Sequence, residues 1–352
     1  MKINEKVISE DKPTYFIADI AANHDGDLQR AIDLIFSAAQ AGADAAKFQH
    51  FNANTIVSDY GFKKLGSQKS HQSKWQKSVF EVYKEASINL EWTKILKETC
   101  DKAKIAFFTS PYSLELVDYV DPFVPAYKIG SGDITWLEII EYISKKNKPV
   151  ILATGASNLD EVQVAVDRII RNNSNVALMQ CNTNYTGNIE NFNYINLNVL
   201  KQFKKIYPKL ILGLSDHTPY HSTVLGAISL GARIIEKHFT DDNNRSGPDH
   251  AFSMNPVTWK EMIERSRELE NALGDGFKKI EDNEKETNLI QRRGIYLTEN
   301  LKKDSIISRK NIIPLRPALS DFIPANNIDQ IIGKKLIRNL LKDEALSWKD
   351  FY

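Results

Sequence analysis

Short apolar runs alternate with longer amphipathic segments between Tyr15 and Leu273. Several runs are almost continuously apolar, which is typical of parallel strands buried on both faces. The segments between them have helical periodicity, as in Leu28–Ala41, Leu159–Arg171 and Thr258–Leu273. The predicted strands are Tyr15–Ile20, Ala45–Gln49, Ile105–Ser110, Ala126–Ser131, Pro149–Thr154, Val176–Cys181, Lys209–Ser215 and Ala232–His238.

Eight strand–helix units predict an α/β fold of the (β/α)8 TIM-barrel type over residues 1–275. A doubly wound open sheet is the alternative. It is less favoured because no glycine-rich dinucleotide fingerprint follows the first predicted strand.

The pattern changes after Gly274-Asp275-Gly276. Residues 276–291 are rich in charge and predict a linker, whereas 292–352 contain short apolar units punctuated by glycine and proline. These features predict a small β-rich domain. A domain of this size is near the lower limit for an independent core, so we expect it to pack against its own barrel or another subunit.

Composition narrows the classes of partner. The formal net charge of the 352-residue chain is +1, which argues against nucleic acid or an anionic membrane as the main partner. No apolar run approaches the ~20 residues of a membrane span, and the N-terminus has no apolar signal core. With only two cysteines, we expect a cytoplasmic protein.

Two of the predicted strands have a histidine at their carboxyl end. His217 comes two residues after the strand Lys209–Ser215, and His238 is the last residue of the strand Ala232–His238. Barrel enzymes place their active sites at the carboxyl ends of the strands, so both imidazoles are expected at the mouth of the barrel. Two histidines suit a divalent metal with open positions for water or substrate. The alternative is a pair of hydrogen-bonded core histidines.

Lysine and hydroxyl side chains occupy other predicted strand exits. Lys47 and Lys128, with Ser110 and Ser131, predict a site for a phosphate or carboxylate group. The alternative is that the lysines point outward with their charges in solvent. The polar segment Phe51–Gln76, which contains His71, is predicted to be a loop that covers the substrate.

Several motifs in this chain resemble those of the sialic acid synthases, or more broadly the nonulosonate synthases. The tail resembles the antifreeze-like (SAF) domain of that family, through Lys302–Asp304, Arg316-Pro317 and Ile332–Lys335. The barrel motifs are Ile20–Gly26, Lys47–Gln49, Ser110–Ser113, Tyr127–Gly132, Gly213–Thr218, Glu236–Thr240 and Gly247–Asp249.

The resemblance implies condensation of phosphoenolpyruvate with an N-acetylmannosamine-like aldehyde sugar, with release of phosphate. It implies Mn²⁺ or Mg²⁺ on His217 and His238, with Asp19 as a further catalytic residue. It also implies a domain-swapped homodimer. The implied phosphoenolpyruvate ligands are Lys47, Ser110, Lys128, Ser131, Thr183 and Ser215; the implied sugar ligands are Gln49, Tyr185, Asp249 and, from the partner subunit, Arg316.

Three positions depart from the family pattern. Asp19 stands where glutamate is usual, Ala153 where a phosphate-contacting serine is common, and Thr183 where one branch has asparagine. For Thr183, Asn182 or Asn184 is expected to compensate. The acceptor is left open among N-acetylmannosamine, its 6-phosphate and a diacetamido-trideoxy hexose.

Two other functions compete with the synthase. One is a Schiff-base aldolase on the same barrel, with Lys47, Lys128 or Lys237 as the nucleophile. The other is a carbohydrate-binding protein that has lost activity through Asp19 and Ala153.

Overall fold

The computed structural model describes residues 1–67, 69, 72–73 and 75–352. The chain forms two compact units, 1–274 and 275–352. His71, in the predicted covering loop, lies outside the described residues. No helix among the described residues is both long and apolar enough to span a bilayer.

Unit 1 contains eight parallel strands in the spatial order β5-β4-β3-β10-β9-β8-β7-β6. The first of them pairs with the last, and the end strands β5 and β6 lie in contact, so the sheet is a nearly closed barrel. The predicted TIM barrel is therefore confirmed and the open sheet is wrong. The strands are β3 (Tyr15–Asp19), β4 (Ala45–His50), β5 (Ala106–Pro111), β6 (Tyr127–Ile129), β7 (Val150–Ala153), β8 (Val176–Cys181), β9 (Ile211–Asp216) and β10 (Ala232–His238), preceded by a hairpin of β1 (Lys2–Ile3) and β2 (Lys6–Val7).

Several helices of unit 1 begin where the sequence supplies a capping residue. Asn158 and Glu161 form a reciprocal capping box at the start of the helix after β7, and Asn255 caps the last helix of the unit. The helices are α1 (Leu28–Gln40), α2 (Ala53–Ile56), α3 (Asp59–Lys64), α4 (Val79–Ala86), α5 (Trp92–Ala103), α6 (Leu114–Val120), α7 (Leu137–Ser144), α8 (Leu159–Ile170), α9 (Val199–Ile206), α10 (Ser222–Ser229) and α11 (Pro256–Leu273).

Apolar residues form two layers, one on the outer face of the strands and one inside the barrel. The larger lies between strands and helices and includes Phe16, Phe107 and Tyr127. The smaller fills the barrel interior with residues such as Ile17 and Phe108, and includes Ile3 and Ile8 from the amino-terminal hairpin region. Successive side chains of a strand enter alternate layers, which decides which polar residues reach the interior.

The predicted polar loop 51–76 contains two short helices, α2 and α3. Unit 2 has its own core, which includes Ile295, Leu297 and Leu336. Its elements are α12 (Lys285–Gln291), β11 (Gly294–Leu297), β12 (Ile312–Leu315) and α13 (Ile328–Ile331). The segment 276–291, predicted to be a linker, thus contains helix α12.

Candidate active site

Alternation along β9 and β10 separates two sets of charged residues. Glu236 contacts lysines of β4 and β6, so it faces the barrel interior, together with His238 two residues later. Lys237 faces the opposite layer, where it forms a buried ion pair with Asp216. The Lys237–Asp216 pair therefore supports the strand ends from outside and lies apart from the interior site.

Asp19 lies at the centre of a row of charged and polar side chains. Its residue is in register with Lys47 of β4 on one side and His238 of β10 on the other. The Asp19 Oδ2 atom is 2.6 Å from Lys47 Nζ and 3.6 Å from His238 Nε2. Gln49 Nε2 donates to the same oxygen at 3.4 Å. Burial raises the pKa of Asp19, against the opposing effect of Lys47.

Glu236 connects the two interior lysines. Its Oε1 atom is 2.9 Å from Lys128 Nζ and 3.7 Å from Lys47 Nζ, and it accepts a hydrogen bond from Ser215 Oγ at 3.3 Å. Burial disfavours its charge, but Lys128 and Lys47 outweigh burial and lower the pKa of Glu236 to about 2. Both lysines are thus matched by protein carboxylates, and they do not adopt the outward orientation that is the alternative to the predicted anion site.

Two buried polar atoms next to this cluster have no hydrogen-bond partner among the described residues: Ser110 Oγ and Glu236 Oε2. A buried polar group without a partner costs free energy of about 1–3 kcal/mol. Such atoms at the end of a barrel suit a site that becomes satisfied when a polar ligand binds.

His217 and His238 face each other, with ring centroids 5.4 Å apart. His217 Nδ1 is 2.8 Å from the Asn182 carbonyl oxygen, to which it donates as the Nδ1–H tautomer, leaving Nε2 as an acceptor. His238 Nδ1 is buried without a hydrogen-bond partner among the described residues. Burial, and then the neighbouring His238, lower the pKa of His217 to about 3; burial and Lys47 lower that of His238 to about 3.

These rings are neutral near pH 7 and can use a lone pair for a metal, so the residues present fit a two-histidine metal site. No group of three or more histidine, cysteine, aspartate or glutamate residues suited to a metal occurs in the described part of the chain. A metal on this pair would take its remaining ligands from water or substrate.

A cavity of about 340 Å³ opens beside the histidines. Of the residues predicted from the sequence, Gln49, Ser131, Tyr185, His238 and Asp249 line it. The Tyr185 ring lies 4.3 Å from that of His217 between centroids. Asp249 Oδ2 accepts a hydrogen bond from the Ala22 amide at 3.3 Å and is 3.9 Å from His238 Nδ1.

Known proteins share this architecture and the order of its parts. The NeuB family model matches residues 34–278 and the SAF domain model matches residues 292–351. This chain belongs to the NeuB family. It is 36% identical to N,N'-diacetyllegionaminic acid synthase of Campylobacter jejuni, over 95% of this chain and 99% of that protein. It is 31% identical to pseudaminic acid synthase of the same species, over 97% of each chain. The crystal structure of N-acetylneuraminic acid synthetase from Leptospira borgpetersenii superposes with a TM-score of 0.71 and 27% identity, covering 82% of this chain and 94% of that one.

Positions where this NeuB-family chain departs from the expected pattern have local structural accounts. Ala153 is buried at the end of β7 and supplies no hydroxyl. The Gly155 amide instead donates to Ser131 Oγ at 2.9 Å. A side chain at Gly155 would bring its Cβ to 2.5 Å from Thr183 Cγ2, so glycine is needed for this approach.

The side chains of Asn182 and Asn184, expected to compensate for Thr183, take part in hydrogen bonds of the loop after β8. Asn182 Nδ2 donates to the Tyr194 carbonyl, and Asn182 Oδ1 accepts from the Asn184 amide. Asn184 Oδ1 in turn accepts from Thr186. Both side chains therefore stabilise the loop after β8 that carries Tyr185.

Arg316 belongs to unit 2, where it is exposed next to Pro317. Its predicted role at a partner subunit's sugar site stays a prediction.

The Schiff-base alternative has little support from the lysines. A nucleophilic lysine needs a lowered pKa. Although burial acts in that direction, Asp19 and Glu236 raise the pKa of Lys47. Lys128 is paired with Glu236, and Lys237 faces away from the interior.

The sequence analysis missed several residues of the cavity. Asp133, Tyr112, Trp75 and Tyr83 line it. Burial raises the pKa of Asp133 to about 6. Asp133 directly follows Gly130-Ser131-Gly132 at the exit of β6, so its position offered a signal. Trp75 lies in the segment 51–76 predicted to cover the substrate, whereas Tyr83 lies on α4, where no strand end marks it.

Proposed function

We propose that this protein condenses phosphoenolpyruvate with the open-chain aldehyde of an N-acylated amino sugar, forming a nonulosonic acid and inorganic phosphate. The names of the legionaminic and pseudaminic acid synthases support a sugar-acid product. The observation that carries the proposal is the placement of Lys47 and Lys128 beside His217 and His238 within one barrel.

Phosphoenolpyruvate would bind at the lysine side of the site. Its phosphate and carboxylate would be contacted by the two lysines and by the hydroxyls of Ser110, Ser131, Thr183 and Ser215. The unpartnered Ser110 Oγ supports this location. Glu236 would hold both ammonium groups before the anion enters, since its Oε1 lies near each of them.

Charge balance supports a metal requirement. Lys47 and Lys128 are already matched by Asp19 and Glu236, so an anionic substrate would bring uncompensated negative charge into a buried site. Mn²⁺ or Mg²⁺ held by His217 and His238 would supply the missing positive charge and polarise the aldehyde oxygen.

The sugar would occupy the cavity, with hydrogen bonds to Gln49, Tyr185 and Asp249. Arg316 of a second copy would complete this site in the proposed domain-swapped dimer. Asp19 would position Lys47 through the 2.6 Å contact and exchange a proton in the reaction.

The proposed reaction forms a C–C bond, adds water at C2 and breaks the C–O bond to phosphate. The methylene carbon of phosphoenolpyruvate supplies an electron pair to the aldehyde carbon, and the aldehyde oxygen gains a proton. Water then adds at C2 and loses a proton. The resulting tetrahedral carbon expels phosphate by C–O cleavage and becomes the ketone of the 2-keto acid.

The test combines phosphate release with product mass. Purified protein is incubated with phosphoenolpyruvate, Mn²⁺ and one of the three candidate aldehyde sugars. Phosphate release that requires both sugar and metal, with a product containing the three-carbon unit, is expected. Condensation of pyruvate itself with an adduct trapped by borohydride would instead establish an aldolase.

A further inference from the structure

Two chemically different sets of residues line the cavity. One set carries the polar groups of Gln49, Ser131 and His238. The other set consists of Phe51, Ile56, Val82 and Ala86, which we call the apolar pocket; the helices that carry Ile56, Val82 and Ala86 contact each other. The sugar contacts that the family resemblance implies do not include the apolar pocket.

Helix α4 builds much of the apolar pocket. Ser78 and Glu81 form a capping box that begins the helix, and Val79 is buried below it. Val82 and Ala86 are one helical turn apart, so they present one face to the cavity. Their side chains offer the cavity no hydrogen-bonding group.

Aromatic rings enclose this pocket. The Tyr83 ring lies 5.4 Å from the Phe51 ring, and the Phe51 ring lies 6.1 Å from the Tyr112 ring, between centroids. Trp75 lies 6.4 Å from Tyr83 by the same measure. Apolar groups placed among these rings would lose contact with water.

The acidic side chains Asp133 and Asp249 line the cavity, whereas no lysine or arginine is found among the lining residues that the structure describes. Lys47 and Lys128 contact Asp19 and Glu236 in the interior instead. From the described lining residues of this chain, a sugar phosphate would therefore meet two carboxyl groups and no basic side chain.

We propose that the apolar pocket selects an uncharged acceptor whose end distant from the aldehyde carries apolar groups, such as the methyl of a deoxy carbon and N-acyl methyl groups. Val82 and Ala86 are then specificity-determining residues, and a diacetamido-trideoxy hexose is preferred to N-acetylmannosamine and to its 6-phosphate. This inference rests on the proposed synthase function and narrows its acceptor class.

The experiment compares the three sugars at saturating phosphoenolpyruvate and Mn²⁺. We expect kcat/KM to be about tenfold or more higher for the diacetamido-trideoxy hexose than for N-acetylmannosamine, because each buried methyl or methylene discriminates by about that factor. The 6-phosphate is expected to be the poorest. Calorimetric titration of each sugar measures the same ranking as affinity and needs no turnover.

Two matched variants test whether the apolar pocket determines the acceptor preference. Val82→Thr exchanges a methyl for a hydroxyl at nearly constant volume, and is expected to reduce the preference for the trideoxy sugar by about tenfold. Val164→Thr makes the same exchange on α8, where Val164 is 50% exposed, and should change neither preference nor rate. Thermal melting of both variants checks that they fold.

The outcomes separate the two proposals. Phosphate release with N-acetylmannosamine or its 6-phosphate as the better acceptor would overturn the pocket assignment and leave the synthase function standing. An equal loss for all three sugars in Val82→Thr would also overturn it. Absence of phosphate release with every sugar would overturn the synthase function, while the calorimetric ranking would still decide the selectivity of the pocket.

Discussion

Asp19 and Lys47 are register partners on neighbouring strands, and their Oδ2 and Nζ atoms are 2.6 Å apart inside the barrel. Parallel pairing and alternation place both side chains in the interior, where each compensates the buried charge of the other. The same Asp19 oxygen is 3.6 Å from His238 Nε2. One carboxylate therefore connects the lysine side of the site with the histidine pair.

Replacement of Asp19 should show what this carboxylate does. We expect Asp19→Asn to reduce kcat by about 10²-fold or more, because it removes a proton-exchanging group and the charge that holds Lys47. Asp19→Glu moves the carboxylate by about 1 Å and is expected to cost about 10²-fold. Steady-state phosphate release measures both variants, with Asp101→Asn, at an exposed position of α5, as the control. If the parent protein is inactive and Asp19→Glu gives it activity, the alternative of a carbohydrate-binding protein that has lost activity would be favoured.

Neighbouring residues of β5 provide a test of the anion site. Ser110 Oγ is buried without a partner in the described part of the chain, so Ser110→Ala should not lower the free energy of unfolding and should raise it by up to about 1–3 kcal/mol. The same change should raise KM for phosphoenolpyruvate about tenfold or more, since it removes a hydrogen bond to a charged group. Urea denaturation and steady-state kinetics measure the two effects.

Thr109→Val is the matched control. Thr109 Oγ1 donates to the Phe48 carbonyl and is 2.7 Å from His50 Nδ1, on the other side of the strand. This variant should lose about 1–3 kcal/mol of stability with KM for phosphoenolpyruvate unchanged. An unchanged KM in Ser110→Ala would refute the predicted anion contact.

The histidine pair predicts metal dependence. Exhaustive chelation should abolish phosphate release, and added Mn²⁺ should restore it. Electron paramagnetic resonance should detect bound Mn²⁺ that is lost in His217→Gln and in His238→Gln but retained in His221→Gln. Full activity after chelation would show that the two rings serve the site without a metal.

The sequence predicts the barrel well because each strand is a compact apolar run. It also predicts residues at strand ends, such as Lys47, Lys128 and His238, because the fold brings all those ends to one mouth. It does not predict that Glu236 contacts both lysines, since that contact depends on side chains meeting across the interior. The apolar pocket is equally hidden, because Val82 and Ala86 belong to a helix between β4 and β5 whose apolar residues resemble ordinary core positions.

The buried carboxyl group of Asp133 should make the stability of the protein depend on pH. Burial raises its pKa from 3.8 to about 6, so the folded state retains a proton that the unfolded state releases. The stability that this proton supplies is present below about pH 4 and is lost as the pH rises through about 6. Asp133→Asn cannot lose this proton. The free energy of unfolding of the variant, minus that of the parent, should therefore increase by about 2 kcal/mol between pH 4.5 and pH 7.5.

Urea denaturation of the two proteins at several pH values measures this difference. Asp101→Asn, at an exposed position of α5, serves as the control for loss of a surface carboxylate. A constant difference between Asp133→Asn and the parent across this range would show that Asp133 titrates normally.

Lys237 and Asp216 form a pair that supports the strand ends bearing the histidines. Thr218 and Thr223 donate further hydrogen bonds to Asp216, and Lys237 Nζ donates to the Thr218 carbonyl. Removing one partner of a buried pair leaves the other charge uncompensated, so we expect Lys237→Met to lose about 3–5 kcal/mol of stability. Lys97→Met, which breaks the surface pair with Asp101, should cost less than about 1 kcal/mol.

The same variant tests the aldolase alternative, because Lys237 is one of its three possible nucleophiles. Borohydride with pyruvate should leave the mass of the parent and of Lys237→Met unchanged, since each of the three lysines is engaged in a buried ion pair with a carboxylate. A borohydride-stable adduct in the parent that disappears in Lys237→Met would require Lys237 to reach the substrate. Because Lys237 is in register with Asp216 and faces the helices, that result would contradict the alternation on which the assignment of every interior residue of β10 depends.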